Sequence, residues 1–259
     1  MSGTKVQYVL TDGVAVVTLD DGKANAFTPA LFAELNPILD QAEKEADALV
    51  LAGRPGRYSA GFDLATVGAS NEAARTSMKL GGELLMRLYG FPKIVVAACT
   101  GHAVAFGALL LLAASHRVGA RGDFKIGLNE VAIGLMLPQF GTRLAEARLS
   151  KRHLQRAVCL STIYDPESAI DVGFLDELAD PEQVISQASE IARGYTKLSG
   201  TAYVLTQANL RRQLVEDVLK KGDAAVCILK FHALDWSGGP IKIPLFCGCG
   251  RSASDGLTS

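Results

Sequence analysis

The feature that most constrains the fold of this chain is the almost wholly apolar run from Ile94 to Ala114. A membrane span needs about 20 such residues, but Thr100, Gly101, His102 and Gly107 interrupt this run. It divides better into a β-rich strand, Ile94 to Ala98, a turn, and a helix that is apolar on every side. Neither element has a face to offer water, so both must be covered by the rest of the chain. The run is therefore read as the centre of a core, and no membrane is expected as a partner.

The segments around it supply that cover. Val14 to Leu19 and Ala48 to Ala52 are short, apolar and β-prone, as strands of a covered sheet are. Between the strands lie helices with readable starts. Thr28 and Pro29 give an N-cap and a first-turn proline, and Leu31, Leu35, Ile38, Leu39 and Ala42 recur at helical spacing. Pro37 is expected to kink or split that helix. Asp165-Pro166 and Asp180-Pro181 repeat the same start, and Gly173 is placed to stop the first of those two helices. Strands alternating with helices indicate an α/β fold. From about Pro181 to Lys221 strand signals vanish and helical residues dominate. The expected organisation is an α/β core over residues 1–195, a C-terminal helical region over 196–236 and an irregular, Gly- and Ser-rich tail over 237–259.

Charge and cysteine content narrow the function classes. With 26 Lys and Arg against 27 Asp and Glu, the chain lacks the basic excess of a nucleic-acid binder. Five cysteines, with no recognisable signal peptide, fit reduced thiols in a cytoplasmic protein. Cys247 and Cys249 form a C-x-C pair without companion ligands, which is a poor metal motif, so no metal site is expected.

Three segments carry possible chemistry. Arg57 to Leu64 reads RYSAGFDL, a loop of small residues that lets backbone approach a ligand; it is equally an ordinary strand-to-helix turn capped by Asp63. Gly101 to Leu109 reads GHAVAFGAL and runs from a strand into the apolar helix, whose first N–H groups have no partner in the helix and can bind a developing oxyanion. His102 on that turn reads as a structural histidine. In Gly127-Leu128-Asn129-Glu130, a carboxylate sits among apolar and small residues, where desolvation raises its pKa toward the range useful for proton transfer. A buried structural glutamate is the alternative, and spacing alone does not bring the three segments together.

Taken together, the segments resemble the crotonase superfamily. Ser59-Ala60-Gly61-Phe62-Asp63-Leu64 is similar to its S-A-G-x-D-L oxyanion loop, residues 101–109 to its second loop, and Gly127 to Gly134, with Pro138 and Gly141 behind, to the segment holding a catalytic glutamate. The resemblance spans about residues 6 to 235. It implies a spiral of repeated β-β-α units with a C-terminal helical region, assembled as a homotrimer or hexamer, and an acyl-coenzyme A thioester as substrate with no separate cofactor.

Residue by residue, the resemblance implies that the backbone N–H groups of Phe62 and Phe106 polarise the thioester carbonyl. It implies that Lys23, Ala24, Ala60, Gly61, Asp63, Leu64 and Gly107 line the coenzyme A and substrate cleft, and that Glu130 is the acid/base. One departure is informative: where the hydratases of the family place a first glutamate, this chain has Leu109. Adding water is best served by two carboxylates, whereas moving a proton between C2 and C4 of an enoyl thioester needs one. Leu at the first position and G-L-N-E around the second is the pattern of the family's mitochondrial Δ3,Δ2-isomerases. The implied reaction is 3-enoyl-CoA to 2-trans-enoyl-CoA; hydration, another acyl-CoA reaction, or non-catalytic acyl-CoA binding or assembly are the alternatives. Phe106 stands where the family commonly has glycine, so its ring is expected to crowd the acyl pocket or to require a strained backbone.

Overall fold

The computed structural model describes residues 4–220. It opens with an antiparallel hairpin of β1 (Val6–Thr11) and β2 (Val14–Leu19), closed by Asp12 and Gly13, both at positive φ as a tight two-residue hairpin turn requires. From β2 onward one pattern repeats: a strand in a large sheet, one or two short strands in a smaller one, then a helix. The first turn of this spiral is β2, β3 (Ala26–Phe27) and α1 (Pro29–Glu45). The second is β4 (Ala48–Gly53), β5 (Gly56–Ser59), β6 (Gly61–Phe62), α2 (Leu64–Ala69) and α3 (Asn71–Tyr89). The third is β7 (Ile94–Cys99), β8 (Gly101–Val104) and α4 (Phe106–Ala113). The fourth is β9 (His116–Ala120), β10 (Ile126–Gly127), a 3-10 turn (Val131–Ile133) and α5 (Gln139–Arg148). Helices α6 (Leu154–Val158) and α7 (Pro166–Val172), strand β11 (Glu177–Ala179), and helices α8 (Val184–Tyr195) and α9 (Gly200–Lys220) follow.

The large sheet runs β1-β2-β4-β7-β9-β11, every pair after the hairpin being parallel. The smaller sheets are β10-β8-β5 and the pair β3-β6. This is the α/β spiral of β-β-α units that the motifs implied. The run from Ile94 to Ala114 becomes β7, β8 and α4, and all eight residues of α4 are buried. Each fully buried leucine there contributes roughly 1.5–3 kcal/mol, so the run is the centre of the core. No helix among the described residues is long and apolar enough to cross a membrane.

Helix starts follow the local chemistry, with two corrections. The Thr28 hydroxyl accepts from Leu31 N at 3.3 Å, Asp165 Oδ1 accepts from Ser168 N at 2.7 Å, and Gly173 ends α7 at φ 98°. Pro37 does not split α1, which is one helix from Pro29 to Glu45. The hydrogen bond that proline removes would end on the carbonyl of Ala33, an exposed residue that water can serve, while Leu31, Leu35, Leu39 and Ala42 hold the opposite face in the core. Asp180-Pro181 does not begin a helix either. Gln183 N donates to Asp180 O at 2.8 Å in a turn, and α8 starts at Val184.

Helix α9 rests on α3 and α5: Arg211 donates to Tyr89 O at 2.7 Å and lies over the Tyr89 ring at 4.5 Å. The tail expected over 237–259, the expected helical residues 221–236, and Cys227, Cys247 and Cys249 lie outside the described residues.

Candidate active site

Asn25 ties the first cleft segment to the first loop. It is fully buried at φ 51°, a left-handed conformation that Asn tolerates better than most residues. Its Nδ2 donates to the carbonyls of Leu19, Arg57 and Tyr58 at 2.8, 3.1 and 3.2 Å. The Ser59 hydroxyl donates to Asn25 O at 2.8 Å and in turn accepts from Gly61 N at 3.1 Å. Ala60 N donates to Ala24 O at 2.9 Å and Asp63 N to Phe27 O at 3.0 Å. The amides of residues 60, 61 and 63 are thus engaged within the protein, and Phe62, the expected oxyanion donor, follows Gly61 in β6 opposite Phe27 of β3.

The second loop meets the first edge to edge. A methyl group on Gly61 would lie 2.9 Å from Ala105 Cβ and 3.1 Å from Phe106 N. Phe106 is the first residue of α4, so its N–H has no acceptor within the helix and carries the positive end of the helix dipole. Gly107 is packed tighter still: a Cβ there would sit 2.2 Å from Ser59 O. Gly107→Ala should therefore spread the two loops and cost stability in the overpacking range, about 1–3 kcal/mol or more. Thermal melting beside substrate turnover checks it, and an unchanged melting temperature would contradict this packing.

Phe106 differs from expectation in both respects. The strained backbone falls one residue earlier, on Ala105 at φ 52° and ψ −126°. The Phe106 ring does not crowd an open pocket, because it is 0 % exposed. Its neighbours are the rings of Phe62, Phe27 and Phe32, at centroid distances of 4.4, 5.0 and 6.0 Å.

Strand pairing brings the segment that holds Glu130 alongside the second loop. β10 pairs with β8 through Ile126↔Ala103 and Gly127↔Val104, and Ala105 N donates to Gly127 O at 2.9 Å. Three residues on, Glu130 opens the 3-10 turn and is 9 % exposed. Its Oε2 has no hydrogen-bond partner among the described residues, nor does Asn129 Oδ1. Burial pushes the Glu130 carboxyl up to about 7. Leu109 is 1 % exposed and packs beside Gly141 and Leu137.

The other expected site residues are placed as follows. Lys23 and Ala60 are exposed and Ala24 is half-buried, all on the strip held by Asn25; the Lys23 carbonyl accepts from the Arg54 guanidinium. Leu64 is 60 % exposed at the start of α2. Asp63 is the N-cap of α2, and its hydrogen bonds from Thr66 hold the carboxyl below its usual range. His102 is structural, as read: Nδ1 accepts from Lys125 N at 3.0 Å. Its desolvation, with the charges of Arg57 and Lys125, lowers its pKa. Asn25 and Ser59 lie in segments that motif reading named, but their positioning roles, and that of Ala105, were not singled out. The signal for Asn25 was its residue type in a tight segment; for Ala105 there was none.

Comparison with known proteins agrees with this geometry. The family profile described as enoyl-CoA hydratase/isomerase matches residues 10–229. The chain is 30% identical over 219 residues to mitochondrial enoyl-CoA delta isomerase 1 of Mus musculus, covering 83% of this chain and 76% of that protein. An enoyl-CoA hydratase/isomerase family protein from Pseudomonas syringae superposes with a TM-score of 0.82 at 40% identity, over 84% of this chain and 94% of that one. A protein of Mycobacterium tuberculosis, described in one structure as an enoyl-CoA isomerase and in another as a probable enoyl-CoA hydratase, gives 0.80 at 38% identity in the first, over 85% of this chain and 96% of that one. A parallel spiral, two abutting amide loops and a buried glutamate are thus found together with a profile match across most of the chain, and the chain belongs to the enoyl-CoA hydratase/isomerase family.

Proposed function

We propose that this protein isomerises 3-enoyl-CoA to 2-trans-enoyl-CoA, with Glu130 as its single proton shuttle. One observation carries the reading: among the described residues Glu130 is the only buried carboxylate, and the first-glutamate position is a leucine. In the reaction the Glu130 carboxylate removes a proton from C2, the electron pair moves into a dienolate, and the Phe62 and Phe106 N–H groups hold its oxygen. Glu130 then returns the proton to C4, leaving the C2–C3 double bond. Each amide donor contributes about 3 kcal/mol to such an intermediate. The strip of Lys23, Ala24 and Ala60, with Asp63 and Leu64, takes the coenzyme A moiety in this reading. Residues 196–236 serve assembly into a homotrimer or hexamer, and α9 offers Leu205, Leu210 and Leu219, each more than half exposed, for that purpose.

The base must be ionised, so the rate constant kcat/KM on 3-hexenoyl-CoA should rise with pH through about 7, the value to which burial pushes Glu130. A profile flat from pH 5.5 to 8.5 would contradict the assignment. Leu109→Glu should add weak hydration of crotonyl-CoA while lowering stability, since an unpaired carboxyl is then buried in α4. Efficient hydration by the unaltered protein would show that one glutamate is not the limit.

A further inference from the structure

The four-ring cluster under the oxyanion loops is asymmetric. Phe27 and Phe106 are 0 % exposed and Phe32 is 1 % exposed, whereas Phe62 is only half-buried. Phe62 is thus the one residue of the four that is partly exposed, and its amide faces the thioester in the proposed reaction. Its edge rests on α3, and it does so only because residue 81 is glycine. A Cβ on Gly81 would lie 2.4 Å from Phe62 Cζ, 2.9 Å from its Cε1 and 3.0 Å from Phe106 Cε2. A glycine inside a helix costs about 1 kcal/mol relative to alanine, and here its missing side chain is the seat of an aromatic ring. Of the two rings touching that seat, Phe106 is enclosed on all sides and Phe62 is not.

We propose that the open side of the Phe62 ring forms a wall of the acyl channel, and that Gly81 sets the position of that wall and so the acyl length accepted. The proposal rests on the acyl-CoA reading above and deepens it. Filling the seat in Gly81→Ala displaces the ring that can move, toward open space, and narrows the channel. Emptying the ring in Phe62→Ala widens it. In the double variant Phe62→Ala/Gly81→Ala the contacts with Phe62 are gone and only the looser 3.0 Å approach to Phe106 Cε2 remains, so the alanine at 81 loses its effect on the wall.

The readout is a ratio, kcat/KM on trans-3-dodecenoyl-CoA over that on trans-3-hexenoyl-CoA. Expected is a fall of at least fivefold for Gly81→Ala, a rise of at least fivefold for Phe62→Ala, and a double variant matching Phe62→Ala within twofold. A general loss of packing would lower both rates and leave the ratio in place. Equilibrium binding of dodecanoyl-CoA and hexanoyl-CoA to the same variants separates this idea from the reaction it rests on. A chain-length shift in binding without isomerase activity would support the wall and remove the reaction. If Phe62→Ala leaves both ratios within twofold of the unaltered protein, the wall is overturned, whether or not Gly81→Ala folds.

Discussion

Glu130→Gln is expected to lower turnover of 3-hexenoyl-CoA at least a hundredfold and at the same time to make the protein more stable at neutral and alkaline pH. The first effect follows from removing the proposed single proton shuttle; general acid–base catalysis is worth about 10²–10⁴-fold. The second follows from the raised carboxyl. Its pKa is about 7 in the folded protein against an ordinary 4.5, so between those values the folded state holds a proton that the unfolded state has released. Stability therefore declines as pH rises from 4.5 to about 7, and above that the buried carboxylate costs on the order of 3 kcal/mol. Glutamine has no charge to desolvate. Chemical denaturation at pH 4.5 and pH 8 should show the variant close to the parent at the lower pH and ahead of it at the higher. Equal stability at both would mean that Glu130 is not held in a desolvated site.

Phe106→Gly should unfold the protein readily rather than enlarge its substrate range. The ring is wholly enclosed among Phe27, Phe32 and Phe62 beneath α3. Emptying a buried phenylalanine site costs about 3–5 kcal/mol. Glycine restores the residue common in the family, but the backbone strain it would relieve is on Ala105, not at this position. The expected result is a melting temperature about 6–20 °C lower, by the usual relation between stability and melting for a chain of this size, with little change in acyl-length preference. A stable variant with broadened acyl range would place the ring in the channel and contradict the cluster described above.

These two predictions mark where sequence reading succeeded and where it stopped. The burial of Glu130 was legible because it stands among apolar and small residues, Leu128 and Val131 beside it, and its role in proton transfer is the proposal that Glu130→Gln tests. The strands Val14–Leu19 and Ala48–Gly53 and the capped helices α1 and α7 were legible from apolar runs and from Thr-Pro, Asp-Pro and Gly signals. Strand β1 was not. As an edge strand it exposes Val9 and Leu10, so it lacks a clean alternation. Nor were β3, β6 and β10, each two residues long, because pairing partners far along the chain create them. Motif reading named Phe106 but not the direction of its ring, which is set by Gly81, 25 residues away in sequence on another helix, and by the rings of Phe27, Phe32 and Phe62. Packing of that kind has no local signature. Two proline signals were also ambiguous locally: Pro37 does not split α1 because its lost bond falls on the exposed face, and Asp180-Pro181 opens a turn rather than a helix because an Asp-Pro pair serves either.

The central claim is that one buried carboxylate beside two amide donors makes this family member an isomerase. It is tested most directly by following 3-hexenoyl-CoA isomerisation and crotonyl-CoA hydration side by side, on the unaltered protein and on Glu130→Gln. The account predicts isomerisation faster than hydration by at least a hundredfold, and its loss in the variant. Hydration as fast as isomerisation, or isomerisation surviving in Glu130→Gln within a few-fold of the unaltered protein, would contradict it.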